Sequence, residues 1–116
     1  MQDSLQQQVE VWRSQLRKGS LELAVLIALR KQHRYGLELV DLLNRQGLGI
    51  SEGSIYPLLA RLKADHKVET EWVEEGAGHA HKYYRLTPQG RAACRAMTAA
   101  WREFNESFAK LLEDEP

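Results

Sequence analysis

At 116 residues, with 43% hydrophobic and 28% charged side chains, the chain has the composition of one soluble globular domain and is too short for a second independent core. Its 16 basic and 16 acidic residues give a formal net charge of zero, which counts against a protein held on nucleic acid by bulk charge; any such affinity must come from local patches or a doubled site. A single cysteine, Cys94, excludes an internal disulfide and fits a reducing compartment, and the longest apolar run, Leu23 to Leu29, is far too short to span a bilayer.

The opening residues MQDSLQQQVE lack the basic start and apolar stretch of a secretory signal, so the expected location is the cytoplasm, with no membrane partner. Asp3 or Ser4 can cap a first helix whose apolar residues Leu5, Val9, Trp12 and Leu16 step by four, three and four positions, opposite a glutamine-rich face. Lys18 and Gly19 then interrupt. Ser20 is expected to cap a second helix, Leu21 to Lys31, which is apolar nearly all round and therefore central to the core. Tyr35 and Gly36 open a third helix through Leu37, Leu39, Val40, Leu42 and Leu43, ending at Gly47, a residue suited to a left-handed terminator.

The next stretch, ISEGSIYPLLARL from Ile50 to Leu62, puts Ile55, Leu58, Leu59 and Leu62 on one buried helical face. Gly53, Pro57, Ala60 and Ala64 point the other way, with Tyr56 and Arg61 on the flanks, so small residues line the centre and donors the edges. Such a face suits close approach to a phosphate backbone. Ser51 is a good N-cap, and the free N–H groups of the helix start would favour a phosphate. Pro57 removes one backbone bond and leaves the Gly53 carbonyl without its helical partner, on the exposed side where water or a ligand can satisfy it. A core helix with a kinked first turn fits the same residues equally well.

Lys67 to Glu74 alternates as a half-buried strand, with Val68, Thr70 and Trp72 against Glu69, Glu71 and Val73. After the turn-rich EGAGHAH, KYYRL sets Tyr84 and Leu86 on one face and Tyr83 and Arg85 on the other, completing a hairpin. Thr87 and Pro88 then start a long helix reaching about Leu112. Met97, Trp101, Phe104, Phe108 and Leu111 step by four, three, four and three positions along it, the seam of a coiled coil. A seam needs a partner. Since the first helix carries the same steps, Leu5, Val9, Trp12 and Leu16 are expected to join Met97, Trp101, Phe104, Phe108 and Leu111 in a dimer interface; the alternative is that both helices fold back on their own core.

This element order is that of a mainly α, α+β winged helix-turn-helix. The expected division is a dimerisation helix over 1–18, a DNA-binding domain over 19–87 and a C-terminal dimerisation helix over 88–116. LRKGSLELAVLIAL, YGLELVDLL, SEGSIYPLLARLK and KYYRLTPQGR, in that order and spacing, resemble the PadR family of bacterial transcriptional regulators in its small branch with a single C-terminal helix. The resemblance covers about Leu16 to Trp101. It implies a homodimeric repressor that binds an inverted-repeat DNA operator and is released by a small effector, with Tyr35, Ser54, Tyr56, Pro57 and Lys82 at positions the family uses near DNA. Two departures stand out: His79, Ala80 and His81 replace the arginine-rich wing common in the family, and His66 and Lys67 stand where a glycine usually follows the recognition helix.

The candidate DNA-binding set is thus Tyr35, Ser51, Gly53, Ser54, Tyr56, Pro57, Arg61, His79, His81 and Lys82. His79 and His81 would project to one side of a strand and could share a metal with Glu74 or Glu75, but nothing completes four ligands, so a solvated wing whose protonated imidazoles meet phosphate is the preferred reading. Cys94 has no histidine at helical spacing, which favours a buried, inert thiol. No catalytic triad, phosphate loop or paired carboxylates occur, so neither an enzyme nor a cofactor is expected. Small Ala93, Ala96 and Ala100 beside Met97, Trp101 and Phe104 would leave a gap across a two-fold axis where a flat aromatic effector could enter; plain packing explains the same residues. A winged-helix module that binds another protein is the alternative function, and a small ligand-binding or catalytic protein the third.

Overall fold

The computed structural model describes residues 2–114. Seven elements follow in order: α1 (Gln2–Ala28), β1 (Arg34–Tyr35), α2 (Gly36–Arg45), α3 (Glu52–Ala64), β2 (Val68–Glu74), β3 (Ala80–Leu86) and α4 (Pro88–Glu113).

α1 runs unbroken through Lys18, Gly19 and Ser20, where two helices were expected. Extending a formed helix gains a hydrogen bond per residue, and one exposed glycine costs only about 1 kcal/mol, less than ending one helix and nucleating another. Ser20 does not cap. Its hydroxyl donates to the Leu16 carbonyl at 2.8 Å, so its competition with the backbone is absorbed inside the helix. The helix ends at Ala28 rather than Lys31, and Arg34 Nε donates to the Ala28 carbonyl at 2.9 Å.

The core forms where α1, α2, α3 and the sheet meet. Val25, Leu26, Leu29, Leu39, Leu43, Ile55, Leu58, Leu59, Leu62, Val68, Tyr84 and Leu86 pack there, with Cys94 of α4 buried against them as an inert thiol should be. At the start of α2, Glu38 reaches back to accept from the Tyr35 N–H at 3.1 Å. Gly47 follows the helix at φ +81°, the left-handed position expected of it. The turn into α3 is held by one side chain: Asn44 donates from Nδ2 to the Ile50 carbonyl at 2.9 Å and accepts the Ile50 N–H on Oδ1 at 2.7 Å.

After α3 the chain turns through His66 in the left-handed region, φ 59°, while the Lys67 N–H returns to the Leu62 carbonyl at 2.9 Å. The helix-terminating geometry therefore survives without glycine. β2 and β3 pair antiparallel from Val68↔Leu86 to Glu74↔Ala80, the expected hairpin. The sheet has a third strand that the sequence did not disclose: β1 pairs with β3 at Arg34↔Tyr84 and Tyr35↔Tyr83, giving the order β1-β3-β2. Two residues carry no periodicity of their own; the exposed edge of β3 recruits them.

Thr87 and Gly90 fix the root of α4. Thr87 Oγ1 accepts from the Gly90 N–H at 2.9 Å and donates to the His66 carbonyl at 2.6 Å. A Cβ on Gly90 would collide with the Lys67 carbonyl, so only glycine allows this approach.

Beyond this core, the first half of α1 and the second half of α4 stand clear. The radius of gyration is 17.1 Å, against about 13 Å for a compact chain of this length. Trp12 is 56% exposed and Phe104 64%.

Candidate nucleic-acid interface

α3 buries Ile55, Leu58, Leu59 and Leu62 and leaves Gly53, Pro57, Ala60 and Ala64 exposed, as its periodicity requires. Pro57 lies inside the helix without ending it. Ser51 occupies the N-cap position, and its carbonyl accepts from the Ser54 and Ile55 N–H groups at 3.1 and 3.0 Å. Its hydroxyl makes no cap bond and instead lies 3.2 Å from the Ser54 hydroxyl. Both hydroxyls are exposed at the helix start, where the macrodipole favours an anion.

The two flanks of α3 differ. On one, Arg61 Nη2 lies 3.8 Å from Glu22 of α1, a carboxylate it shares with Lys67 at 3.7 Å. The other flank faces the β2–β3 wing. There Tyr56, Ala60, Lys63, Ala64, Lys82 and Tyr84 line a concavity of about 550 Å³, and Tyr35, Gly36, Leu37, Tyr56, Trp72, Ala80, His81, Lys82 and Tyr84 line a second of about 440 Å³. Among the described residues no carboxylate lines either one. Lys82 is half-buried, its Nζ 5.8 Å from the centre of the Tyr84 ring.

Lys63, Gly36 and Trp72 are among the lining residues outside the set expected from the sequence. Lys63 follows Tyr56 by seven positions, two helical turns, so the spacing that located Tyr56 also pointed to it. Gly36 owes its place to Tyr56: a Cβ there would fall 2.5 Å from the Tyr56 ring. Trp72 alternates onto the inner face of the wing yet stays 68% exposed, standing over the groove between wing and helix.

The expected wing contacts separate. His79 is exposed in the turn, where its N–H donates to the Gly76 carbonyl at 2.8 Å. His81 is half-buried with its ring stacked on Tyr35, centroids 4.2 Å apart and planes within 17°. Tyr35 in turn meets Tyr83 edge-on at 5.4 Å. His81 thus braces Tyr35. On the outer face of the wing, Arg85 is tied to Glu69 and Glu71 at 3.2 and 3.0 Å. A hydrogen bond to Glu75 pushes the Tyr83 phenol up to about 12, and burial followed by the Tyr56 phenol raises that of Tyr84.

A helix-turn-helix with its second helix exposed beside a β-hairpin defines a winged helix-turn-helix protein. Residues 25–96 match the model of the Transcriptional regulator PadR-like family, and the chain belongs to that family of transcriptional regulators. It is similar to the crystal structure of a PadR family transcriptional regulator from Eggerthella lenta, with 33% identity, a TM-score of 0.86, and coverage of 97% of this chain and 98% of that one. It is 34% identical to transcriptional regulator Rv3488 of Mycobacterium tuberculosis over 68% of this chain and 73% of that protein. The fold also matches Bacillus subtilis PadR in complex with operator DNA, at 23% identity and a TM-score of 0.62, over 67% of this chain and 46% of that one. No helix among the described residues is long and apolar enough to cross a membrane.

Proposed function

We propose that the protein is a homodimeric repressor whose two α3–wing surfaces bind the halves of an inverted-repeat operator, and that a small effector releases it. The observation that carries this reading is the groove between α3 and the wing, lined by Tyr35, Tyr56, Lys63, Trp72 and Lys82 with no carboxylate among the described residues. In a chain of zero net charge, such segregation makes a local cationic surface suited to phosphate. Small residues along α3 admit a backbone closely, and Ser51, Gly53 and Ser54 at its start offer hydroxyl and N–H donors.

The apolar stripes supply the dimer. Leu5, Val9, Trp12 and Leu16 on α1, and Trp101, Phe104, Phe108 and Leu111 on α4, are all exposed in one chain, while Met97 is half-buried at the root of the α4 stripe. Burying them against a second copy removes a large apolar area from water. The segments 1–18 and 88–116 then serve as dimerisation arms around a DNA-binding unit over 19–87. Two Trp101 rings facing across the two-fold axis, with Met97 and Phe104, would bound a slot for a flat aromatic effector.

The test is to select bound fragments from genomic DNA with the purified protein and titrate the recovered site at several salt concentrations. The expected result is an inverted repeat whose affinity falls steeply with salt, with Lys82→Ala flattening the log–log slope by about one unit. Lys63→Ala should flatten it similarly. No enrichment of any fragment, or binding indifferent to salt, would favour a winged-helix module that binds another protein.

A further inference from the structure

A second cationic surface lies away from the α3–wing groove. Between the end of α1 and the first half of α4 is an open cavity of about 350 Å³, lined by Arg30, Arg91, Arg95 and Arg102 together with Thr98, Ala99, Leu86 and Cys94. Arg91, Arg95, Thr98 and Arg102 step by four, three and four positions, so they form one stripe on α4. Buried Leu86 and Cys94 belong to its apolar side.

Like Arg34, these arginines have no ion-pair partner among the described residues. Arg13, Arg17, Arg45, Arg61 and Arg85 each face a carboxylate, but among the described residues no carboxylate comes within ion-pair distance of Arg30, Arg91, Arg95 or Arg102. Glu103 and Glu106 follow on the same helix without lining the cavity. Arg91 is also positioned in advance, since its Nη1 donates to the Arg30 carbonyl at 3.2 Å. Four guanidinium groups around one hollow repel one another, and their planar forks are suited to paired oxygens of phosphate or carboxylate.

We propose that this cavity binds a small polyanion, a phosphorylated compound or a di- or tricarboxylate, held by Arg91, Arg95 and Arg102 on α4 and by Arg30 across from them. A single negative charge would offset only one of the four arginines, which is why the ligand class carries two or more. The Thr98 hydroxyl adds a neutral donor, and Ala99 and Leu86 leave room for a short carbon skeleton. The site stands apart from operator binding, and its test contains no DNA.

Full-length protein is titrated calorimetrically with inorganic pyrophosphate and, separately, with citrate, in wild type, in the double variant Arg91→Gln/Arg95→Gln and in Lys82→Gln. Both substituted arginines are exposed, so the variant should keep the fold, which thermal unfolding checks. The expected result is saturable binding of at least one probe by wild type, weakened tenfold or more in the arginine variant and far less in Lys82→Gln. The tighter probe identifies the ligand as phosphate-type or carboxylate-type. Absence of saturable binding in wild type would overturn the proposal, as would equal loss in Lys82→Gln, which would move the anion to the wing groove. So would a variant that binds the probes normally but dimerises tenfold more weakly, which would assign the arginines to carboxylates of a second copy.

Discussion

The α2–α3–wing unit and the two helical arms use the same apolar residue types in opposite ways. In the unit, every apolar position that periodicity assigns to the inner face of α3 is buried, and single side chains such as Asn44 and Thr87 satisfy the backbone at each junction. In the arms, periodicity is equally regular, yet Trp12, Trp101, Phe104 and Phe108 remain half or more exposed. The same pattern therefore accompanies two outcomes, burial completed within the chain and exposure that the proposed second copy would cover. Regularity alone does not tell them apart. Length does: helices of 27 and 26 residues extend about 40 Å, further than a core of this size can cover.

That contrast is broken most severely by truncating one side chain on each side of it. Leu59, fully buried in α3, contributes to the core of a single chain, so Leu59→Ala should cost about 2 to 5 kcal/mol in urea unfolding at any protein concentration. In the proposed dimer, Phe104→Ala should instead act through association, shifting the chain toward monomer and making the unfolding midpoint depend less steeply on concentration than in wild type. Equal, concentration-independent losses in the two variants would mean that the arms pack on their own core.

Next in size is the junction that aims α3. Asn44→Ala strands the Ile50 N–H and carbonyl together, at a cost of about 1 to 3 kcal/mol. Because Ile50 immediately precedes the Ser51 cap, operator affinity should fall more than the stability loss alone implies, measured under conditions where the variant is fully folded. Smaller, and opposite in sign, is the turn after α3. His66 holds a left-handed conformation that costs an L-residue about 1 kcal/mol or more, so His66→Gly should raise stability by about 0.5 to 1 kcal/mol in thermal unfolding.

The smallest effect is on titration. The Glu75 hydrogen bond raises the folded Tyr83 phenol from 10.0 to about 12, so whatever the contact contributes is intact below pH 10 and is lost as pH rises through about 12. Phenolate absorbance should show the last titrating tyrosine near that value in the folded protein, and Tyr83→Phe should remove that phase.

Much of this was legible in the sequence because local chemistry and tertiary packing agree. The Thr87-Pro88 start of α4, the Gly47 terminator and the α3 face read correctly since each rests on a residue whose local preference the fold also uses. The break at Gly19 misled because the glycine and serine signals were weighed without the helix continuing on both sides. β1 was invisible because its pairing, Arg34↔Tyr84 and Tyr35↔Tyr83, depends on residues 50 and 48 positions away. At the candidate interface, composition located the donors, but their neighbours depend on tertiary contacts. Glu22 faces both Arg61 and Lys67, and the His81 ring stacks on Tyr35, whereas Lys63 and Trp72 emerged only once the wing stood beside α3.

Whether the arms meet a second copy is tested by sedimentation velocity of the full-length protein over a range of concentrations. The prediction is a species of twice 13.3 kDa throughout the micromolar range, with Trp101→Glu/Phe104→Glu falling to 13.3 kDa while keeping its helical signal. A wild-type chain that sediments at 13.3 kDa across that range would contradict it.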